Sequence, residues 1–182
     1  MSYVRCLRGI ASGIEYDADL PMNLDPADGR PVEMVLDLER LAAEQPGTAW
    51  YDPHRRDLWR FGALMALSIS DPDDARHIVA LGEGHTPLLD YRDHPRARAA
   101  GLVLQIKEEG KSHAGYGANP TQSFKDRGMA MVAAQARRLG LRRLAVPTQG
   151  NAGDSLTRYA LAAGLSVVVA MPVDTPMPIL GN

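Results

Sequence analysis

The chain has 182 residues, of which 45% are hydrophobic and 23% are charged, and its formal net charge is −2. This composition is typical of a soluble globular protein and predicts one main domain with a small appendage. Since there is no basic excess, binding to nucleic acid is not expected, and no apolar run approaches the length needed to span a membrane. The single cysteine excludes an intramolecular disulfide and is typical of a reducing compartment, so we expect a cytoplasmic protein.

Residues 1 to about 80 include an acidic, turn-rich segment, and we predict that they form an N-terminal arm. The alternation in residues 32–37 predicts a strand, and Asp37 is a candidate start for a short helix. Cys6 is expected to be a small buried hydrophobe rather than a ligand or a nucleophile. Three aromatic residues are expected to anchor this arm on the main domain: Trp50, Trp59 and Phe61.

The main domain is predicted to begin near residue 81. The apolar run Leu102–Lys107 predicts a buried strand. A glycine-bearing insert, residues 111–118, follows it. His113 and Tyr116 of this insert either reach a substrate or belong to a solvated surface loop.

The segment Asn119–Gly128 reads NPTQSFKDRG and contains one of only three lysines in a chain with seventeen arginines. Its Asn-Pro pair indicates a turn. Ser123 and Asp126 have the spacing of a capping box, which predicts a helix with Lys125 in its first turn. The positive end of the helix dipole and partial burial both favour a neutral amine there, and a neutral amine can form a Schiff base. The alternative is a solvated lysine on the shoulder of a helix.

The segment Pro147–Gly153 reads PTQGNAG and stands between an apolar run, Leu144–Val146, and a helical pattern. A strand, a polar turn and a helix N-terminus together can hold an anionic ligand. Gly150 would let the backbone approach such a ligand closely. Asn151 either caps the helix or points its amide at a ligand oxygen. The alternative is an ordinary strand-to-helix loop.

Strands and helices alternate in the second half of the chain. After Lys125 the apolar spacing predicts a helix that ends at Gly140, followed by a strand at residues 143–147. A second helix to Ala163 and an apolar strand at residues 165–171 complete the pattern. Short alternation of this kind predicts a parallel sheet with helices on its faces. Both motif segments then follow the carboxyl ends of strands, where open α/β sheets bind their ligands.

The NPTQSFKDRG segment, followed by TQGNAG at residues 148–153, resembles the threonine synthase family, whose members use pyridoxal phosphate and have the tryptophan-synthase-β-like fold. Residues 81–89, LGEGHTPLL, resemble the Gly-Glu-Gly-x-Thr-Pro-Leu segment of that family. Residues 170–176, AMPVDTP, resemble the segment at the end of the strand after its asparagine loop. The resemblance extends over about residues 80 to 182, and four matches in the same order make it specific.

For the fold, the resemblance implies an α/β protein with an incomplete three-layer αβα domain, built on a parallel sheet, at residues 81–182. Residues 1–80 form the arm that precedes this partial catalytic domain. Related proteins often begin with a small zinc-ribbon-like element that carries paired cysteines. Cys6 has no such partner in the sequence, so the arm is expected to be a degenerate form without metal.

For the chemistry, the resemblance implies that Lys125 holds pyridoxal phosphate through its amine and then moves protons at Cα and Cβ of the substrate. Asn151 would donate a hydrogen bond to the 3′-oxygen of the cofactor. The implied reaction converts O-phospho-L-homoserine and water to L-threonine and phosphate, a lyase step of threonine biosynthesis. The substrate carboxylate would be held by four residues of the asparagine loop: Thr148, Gln149, Gly150 and Ala152. Gln149 replaces the smaller residue that is common in the family.

Two other functions stay open, namely a related pyridoxal-phosphate lyase such as a serine or threonine dehydratase, and a non-catalytic fragment. Thr121 and residues 174–176 favour threonine synthase. In the family, the loop that grips the cofactor phosphate and the group at the pyridine nitrogen lie downstream of the residues present, and another helix should begin near Ile179–Asn182. We therefore expect a truncated chain that acts on a small amino acid, either as a homodimer or with a missing C-terminal half.

Overall fold

The computed structural model describes residues 2–175, which form two compact units. The first unit contains the segment up to Arg55, together with Trp59–Ile78 and Ala134–Arg142. The second contains Arg56–Leu58, Val79–Ala133 and the segment from Arg143 onward. The division into residues 1–80 and 81–182 stays a prediction, and Pro176 and the expected helix start at residues 179–182 lie outside the described part of the chain.

The first unit is built on a three-stranded antiparallel sheet. Strand β1 (Val4–Gly9) lies between β2 (Glu15–Tyr16) and β3 (Val32–Leu36). The strand predicted from the alternation at residues 32–37 is thus confirmed. Cys6 lies in the central strand opposite Val35 and is buried, as expected for a small hydrophobe.

A buried carboxylate organises the loops beside this sheet. Asp25 accepts hydrogen bonds from the hydroxyls of Ser12 and Tyr16, both at 2.5 Å, and from the backbone N–H of Ala27 at 2.8 Å. The hydrogen bond from Ser12, followed by those from Tyr16 and Ala27, lowers the pKa of the Asp25 carboxyl. Gly9 is next to this carboxylate, and any side chain at Gly9 would overlap it.

The rest of the first unit contains short helices and aromatic contacts. Helix α1 (Leu38–Glu44) begins after Asp37, whose carboxylate accepts from the backbone N–H of Arg40, so the predicted helix start is confirmed. Residues 58–64 form a 3₁₀ segment and α2 (Pro72–Ala75) follows. Trp59 is fully buried. The rings of Trp50 and Phe61 are neighbours, with their centroids 6.3 Å apart. Anchoring of the arm by these three aromatic residues stays a prediction.

The second unit contains the lysine segment at residues 119–128 and the asparagine loop at residues 147–153. Its secondary-structure elements, in chain order, are β4 (Leu88–Asp90), α3 (Pro95–Ala99), β5 (Gln105–Lys107), α4 (Lys125–Arg138, which contributes residues to both units), β6 (Arg143–Pro147), α5 (Asn151–Ala162) and β7 (Ser166–Ala170). Its core joins the two long helices through Ala130, Ala133 and Tyr159. Two of these residues are alanines, which let neighbouring backbones approach closely.

The predicted order β6, α5, β7 is confirmed, because β6 and β7 pair in parallel with Arg143 opposite Ser166. Helix α5 packs on this pair, and a side chain at Gly153 would lie 2.7 Å from methyl carbons of both Thr148 and Val169. Gly153 therefore lets the first turn of α5 contact β7 directly. Within the described residues, parallel pairing is limited to β6 and β7.

The prediction for Leu102–Lys107 was only partly right. Strand β5 includes only the last three of these residues, and it pairs antiparallel with β4, with Leu89 opposite Ile106. The run is not buried, since Val103 is 81% exposed. Apolar residues in a short run do not specify which strand they will join. Residues 2–175 therefore form a mixed α/β structure with small sheets, and they do not form a larger parallel sheet between two helix layers.

No helix in the described part of the chain is long and apolar enough to cross a bilayer. The same residues contain no group of three or more His, Cys, Asp or Glu side chains arranged to hold a metal ion.

Candidate active site

Lys125 is the first residue of α4, as predicted from the spacing of its segment. The hydroxyl oxygen of Ser123 accepts a hydrogen bond from the backbone N–H of Lys125 at 3.2 Å, so Ser123 satisfies one of the free N–H groups of the first turn. The side chain of Lys125 is half-buried, and its Nζ lies 4.8 Å from the ring centroid of Phe124. A primary amine is thus placed at the positive end of a helix.

Asp126 does not complete the capping box that its spacing suggested. Its carboxylate is fully buried and accepts instead from the backbone N–H and the hydroxyl of Thr121, at 2.8 and 2.6 Å. It also accepts from the hydroxyl of Ser155 on α5 at 2.6 Å. Asp126 therefore connects the turn before Lys125 to the helix that follows the asparagine loop, a function that the sequence analysis missed.

Gln122 has an unusual backbone conformation three residues before Lys125. Its φ of 60° lies in the left-handed region, which costs a residue with a side chain roughly 1 to 2 kcal/mol. Gly110 packs against it, because a side chain at Gly110 would lie 2.8 Å from Cβ of Gln122. Strained residues of this kind are concentrated at functional sites, and no sequence signal distinguished Gln122.

Glu109 binds the residues on both sides of Lys125. Its Oε2 accepts from the side-chain amide of Asn119 at 2.5 Å and from the guanidinium of Arg127 at 2.7 Å. The same guanidinium donates to the hydroxyl of Thr86 at 2.9 Å. Because Asn119 precedes Lys125 and Arg127 follows it, one carboxylate fixes the whole lysine segment. In the sequence, the only signal for Glu109 is its charge just before the insert, so its contacts were not predicted.

A second buried carboxylate lies in the segment at residues 81–89. Glu83 accepts from the Tyr159 hydroxyl at 2.7 Å and from the backbone N–H of Leu81 at 2.8 Å, while its Oε1 has no hydrogen-bond partner within the described residues. Burial raises the pKa of Glu83, and the hydrogen bond from Tyr159 opposes this shift in part. Burial also raises the pKa of the Tyr159 hydroxyl.

The asparagine loop joins β6 to α5. Thr148 extends the parallel pairing by donating from its backbone N–H to the carbonyl of Ala170 at 2.9 Å, and its hydroxyl oxygen accepts from the backbone N–H of Gly150 at 3.1 Å. Gly150, not Asn151, precedes the first residue of the helix, and no side chain caps α5. The alternative in which Asn151 caps the helix was therefore wrong by one residue.

Asn151 is exposed at the first residue of α5, so its amide is accessible to a ligand. The φ of Gly150 is −172°, which any residue adopts, so this position does not depend on glycine for its backbone conformation. The four residues predicted to hold the substrate carboxylate stay together in the loop: Gln149 is exposed, and Thr148, Gly150 and Ala152 are half-buried.

The lysine segment and the first turn of α5 meet at a cavity of about 380 Å³, lined by Pro120, Thr121, Gln122 and Asp154. The first three residues precede Lys125, and Asp154 lies in the first turn of α5. Lys125 and Asn151 belong to the same two segments but do not themselves line the cavity. The structure thus brings together the elements that carry the predicted site residues.

The insert at residues 111–118 is packed against the segment at residues 81–89. Its ends are closed by a backbone hydrogen bond from Asn119 to Glu109 at 2.8 Å. Gly117 donates to the carbonyl of His85 at 3.1 Å, and the rings of Tyr116 and His85 lie 5.3 Å apart. Contact of His113 or Tyr116 with a substrate stays a prediction.

These features fit pyridoxal phosphate. The chain offers a half-buried amine for the aldehyde at Lys125 and an exposed amide for the phenolic oxygen at Asn151. The cavity between their segments has a volume in the range of small-molecule sites. The N–H groups at the start of α5 favour an anionic group such as a carboxylate.

Comparison with known proteins agrees with this chemistry. Residues 79–180, more than half of the chain, match the family described as pyridoxal-phosphate dependent enzyme. The chain is 33% identical over 138 residues to a threonine synthase from Methanosarcina acetivorans, an alignment covering 75% of this chain and 28% of that protein. It is 35% identical over 166 residues to a threonine synthase from Methanocaldococcus jannaschii, covering 91% of this chain and 37% of that protein.

A threonine synthase from Halalkalibacterium halodurans is 37% identical over 95 residues, which cover 52% of this chain and 24% of that protein. The chain thus spans roughly a quarter to a third of the length of the curated relatives that it matches. The resemblance noted from the lysine and asparagine segments is confirmed, and the chain belongs to the family of pyridoxal-phosphate dependent enzymes.

Proposed function

We propose that this chain is the N-terminal part of a threonine synthase, a lyase that converts O-phospho-L-homoserine and water to L-threonine and phosphate. The observation that carries the proposal is the joining of the two motif segments, because the buried carboxylate of Asp126 links the lysine turn to α5. The three relatives described above support this choice over a serine or threonine dehydratase, since each is a threonine synthase.

Lys125 holds the cofactor and then moves protons. When bound, pyridoxal phosphate acts as an electron sink for the carbanion that forms at the substrate. The amine of Lys125 would remove one proton from Cα and one from Cβ of the substrate, after which phosphate leaves from Cγ. Water then adds at Cβ, and the same amine would return protons to Cγ and Cα. A single amine can both remove and return protons if it is held close to the reacting carbons. Glu109 supports this by binding Asn119 and Arg127, which lie on either side of Lys125 in the sequence.

Asn151 orients the cofactor, and its loop binds the substrate carboxylate. Asn151, the first residue of α5, would donate a hydrogen bond to the 3′-oxygen of the cofactor. The carboxylate would lie against the N–H groups of Gln149 and Ala152, where the helix dipole favours negative charge. The hydroxyl of Thr148 already holds the N–H of Gly150, so the loop is ordered before the substrate arrives.

The cofactor proposal is tested by adding pyridoxal phosphate to the purified chain and recording its visible absorption. We expect a new absorption band that is retained in the Lys111→Ala control, because Lys111 is exposed on the insert, and that is lost in Lys125→Ala. An identical band in Lys125→Ala would contradict the assignment of the lysine. No band in any form would favour a non-catalytic fragment.

The reaction is tested by product analysis. We expect threonine and phosphate from O-phospho-L-homoserine, in the chain alone or in the chain combined with a C-terminal half. Formation of a keto acid from serine or threonine would assign the dehydratase reaction instead. Light scattering checks the proposed homodimer. The cytoplasmic location expected from the single cysteine stays a prediction.

A further inference from the structure

The first unit contains a cavity of about 370 Å³ that the proposed reaction does not use. Its lining combines flat aromatic rings with hydrogen-bonding groups and includes Gln45, Trp50, Tyr51, Arg60, Ser68 and Ser70. This volume is in the range of sites for small organic molecules. The mixture of aromatic surface and a few polar groups is also typical of such sites.

Arg60 is the unusual member of this lining, because its guanidinium forms no salt bridge with a carboxylate of residues 2–175. The residue is half-buried, its Nε is buried without a hydrogen-bond partner, and its guanidinium carbon lies 4.4 Å from the ring centroid of Tyr51. By contrast, Arg5 and Arg8 of the same unit each pair with a carboxylate, that of Glu15 and that of Glu33. Stacking on an aromatic ring offsets only part of the cost of burying an unpaired cation.

We propose that this cavity binds a small organic anion, whose carboxylate or phosphate pairs with Arg60 and whose flat body packs on Trp50 and Tyr51. A guanidinium is suited to such an acid, because its planar N–H groups match two oxygens at once. The hydroxyls of Ser68 and Ser70 lie 2.9 Å apart and can turn toward a further ligand oxygen.

Asp52 is the one acidic side chain that also lines the cavity. Its Oδ1 accepts from the backbone N–H of His54 at 2.9 Å, so its carboxylate is held in place at the rim. This negative charge repels an organic anion that has no amino group, whereas it attracts the ammonium group of a ligand that has one. Asp52 therefore determines which organic acids the cavity prefers.

The test uses the chain itself, with phenyl phosphate as the aromatic anion, inorganic phosphate as the bare anion and phenol as the neutral analogue. Binding is followed by tryptophan fluorescence, because Trp50 lines the cavity whereas the other tryptophan, Trp59, is fully buried. We expect saturable quenching by phenyl phosphate, at least about tenfold weaker binding of inorganic phosphate, and no saturable binding of phenol.

Three variants identify the site. Arg60→Gln keeps a planar polar group and should weaken the binding of phenyl phosphate by about tenfold to one-hundredfold. Asp52→Asn should strengthen it, because the repelling charge is removed. Arg8→Gln makes the same charge change at a residue that pairs with Glu33 and does not line the cavity, so it should leave binding unchanged. Lys125→Ala should also leave it unchanged, since that lysine belongs to the other unit.

The proposal is overturned by equal binding of phenol and phenyl phosphate, by an unchanged affinity in Arg60→Gln, or by no quenching up to about 10 mM ligand. Circular dichroism establishes that each variant is folded. If Arg60→Gln does not fold, Asp52→Asn decides the matter, because tighter binding of phenyl phosphate supports the site and unchanged binding overturns it.

Discussion

Replacing Asp126 by asparagine tests whether one buried carboxylate joins the two halves of the candidate site. The carboxylate is fully buried and accepts three hydrogen bonds, two from Thr121 and one from Ser155. Asparagine retains one acceptor oxygen, and its NH₂ group then faces one of the former donors. A buried donor left unpaired costs about 1 to 3 kcal/mol, and the remaining bonds lose the strength that the charge gives them. We therefore expect the free energy of unfolding to fall by about 2 to 4 kcal/mol.

The assay is urea denaturation followed by circular dichroism, with Asp154→Asn as the matched control. Asp154 is an exposed carboxylate in the first turn of α5, so its replacement should change the free energy by less than about 1 kcal/mol. Asp126→Ala, Ser155→Ala and their combination form a double-mutant cycle, in which we expect a coupling energy of about 1 to 2 kcal/mol.

Two results would refute this reasoning. The first is a cost of Asp126→Asn no larger than that of Asp154→Asn, which would mean that the three hydrogen bonds are not made in solution. The second is a coupling energy near zero between Asp126 and Ser155. In that case the lysine turn and α5 would be folded independently of each other.

Two further predictions concern the neighbouring carboxylates. Burial raises the pKa of Glu83 in the folded chain. The stability that its neutral carboxyl contributes is therefore complete below the ordinary pKa of a glutamate and is lost as the pH rises through the raised pKa. Glu83→Gln should remove this pH dependence in denaturation series across the acidic range. Glu109→Gln should lower the free energy of unfolding by about 1 to 3 kcal/mol and increase hydrogen exchange at Asn119, since its bond to Arg127 loses its charge. The adjacent Glu108→Gln is the control, because Glu108 accepts from the backbone N–H groups of Gly110 and Lys111. Equal exchange in both variants would contradict the function given to Glu109.

Local patterns in the sequence predicted the elements that carry the site. Ser123 identified the start of α4, and the glycines at 140 and 164 identified helix ends, where both adopt positive φ. The order β6, α5, β7 followed from apolar spacing and turn residues alone. These features depend on residues within a few positions of each other, which is why a single sequence suffices for them.

Long-range partners were not predictable in the same way. The bond between Glu109 and Arg127 joins residues 18 positions apart, and the bond between Asp126 and Ser155 joins residues 29 positions apart. No periodicity encodes such pairs. Strand β5 shows the same limit, since the apolar run that contains it gave no sign that it would pair with β4. The roles of Lys125 and Asn151 came from motif resemblance and stay predictions.

The direct contact of Gly153 with Thr148 and Val169 limits how this region of the chain can vary. A methyl group at Gly153 would have to displace either the sheet or the start of α5, because both neighbouring methyl carbons lie within 2.7 Å of its position. Asn151 is two residues away on the same turn, so its amide would move with the helix. Substrate preference in relatives with alanine at this position should therefore differ even where every ligand-binding residue is identical.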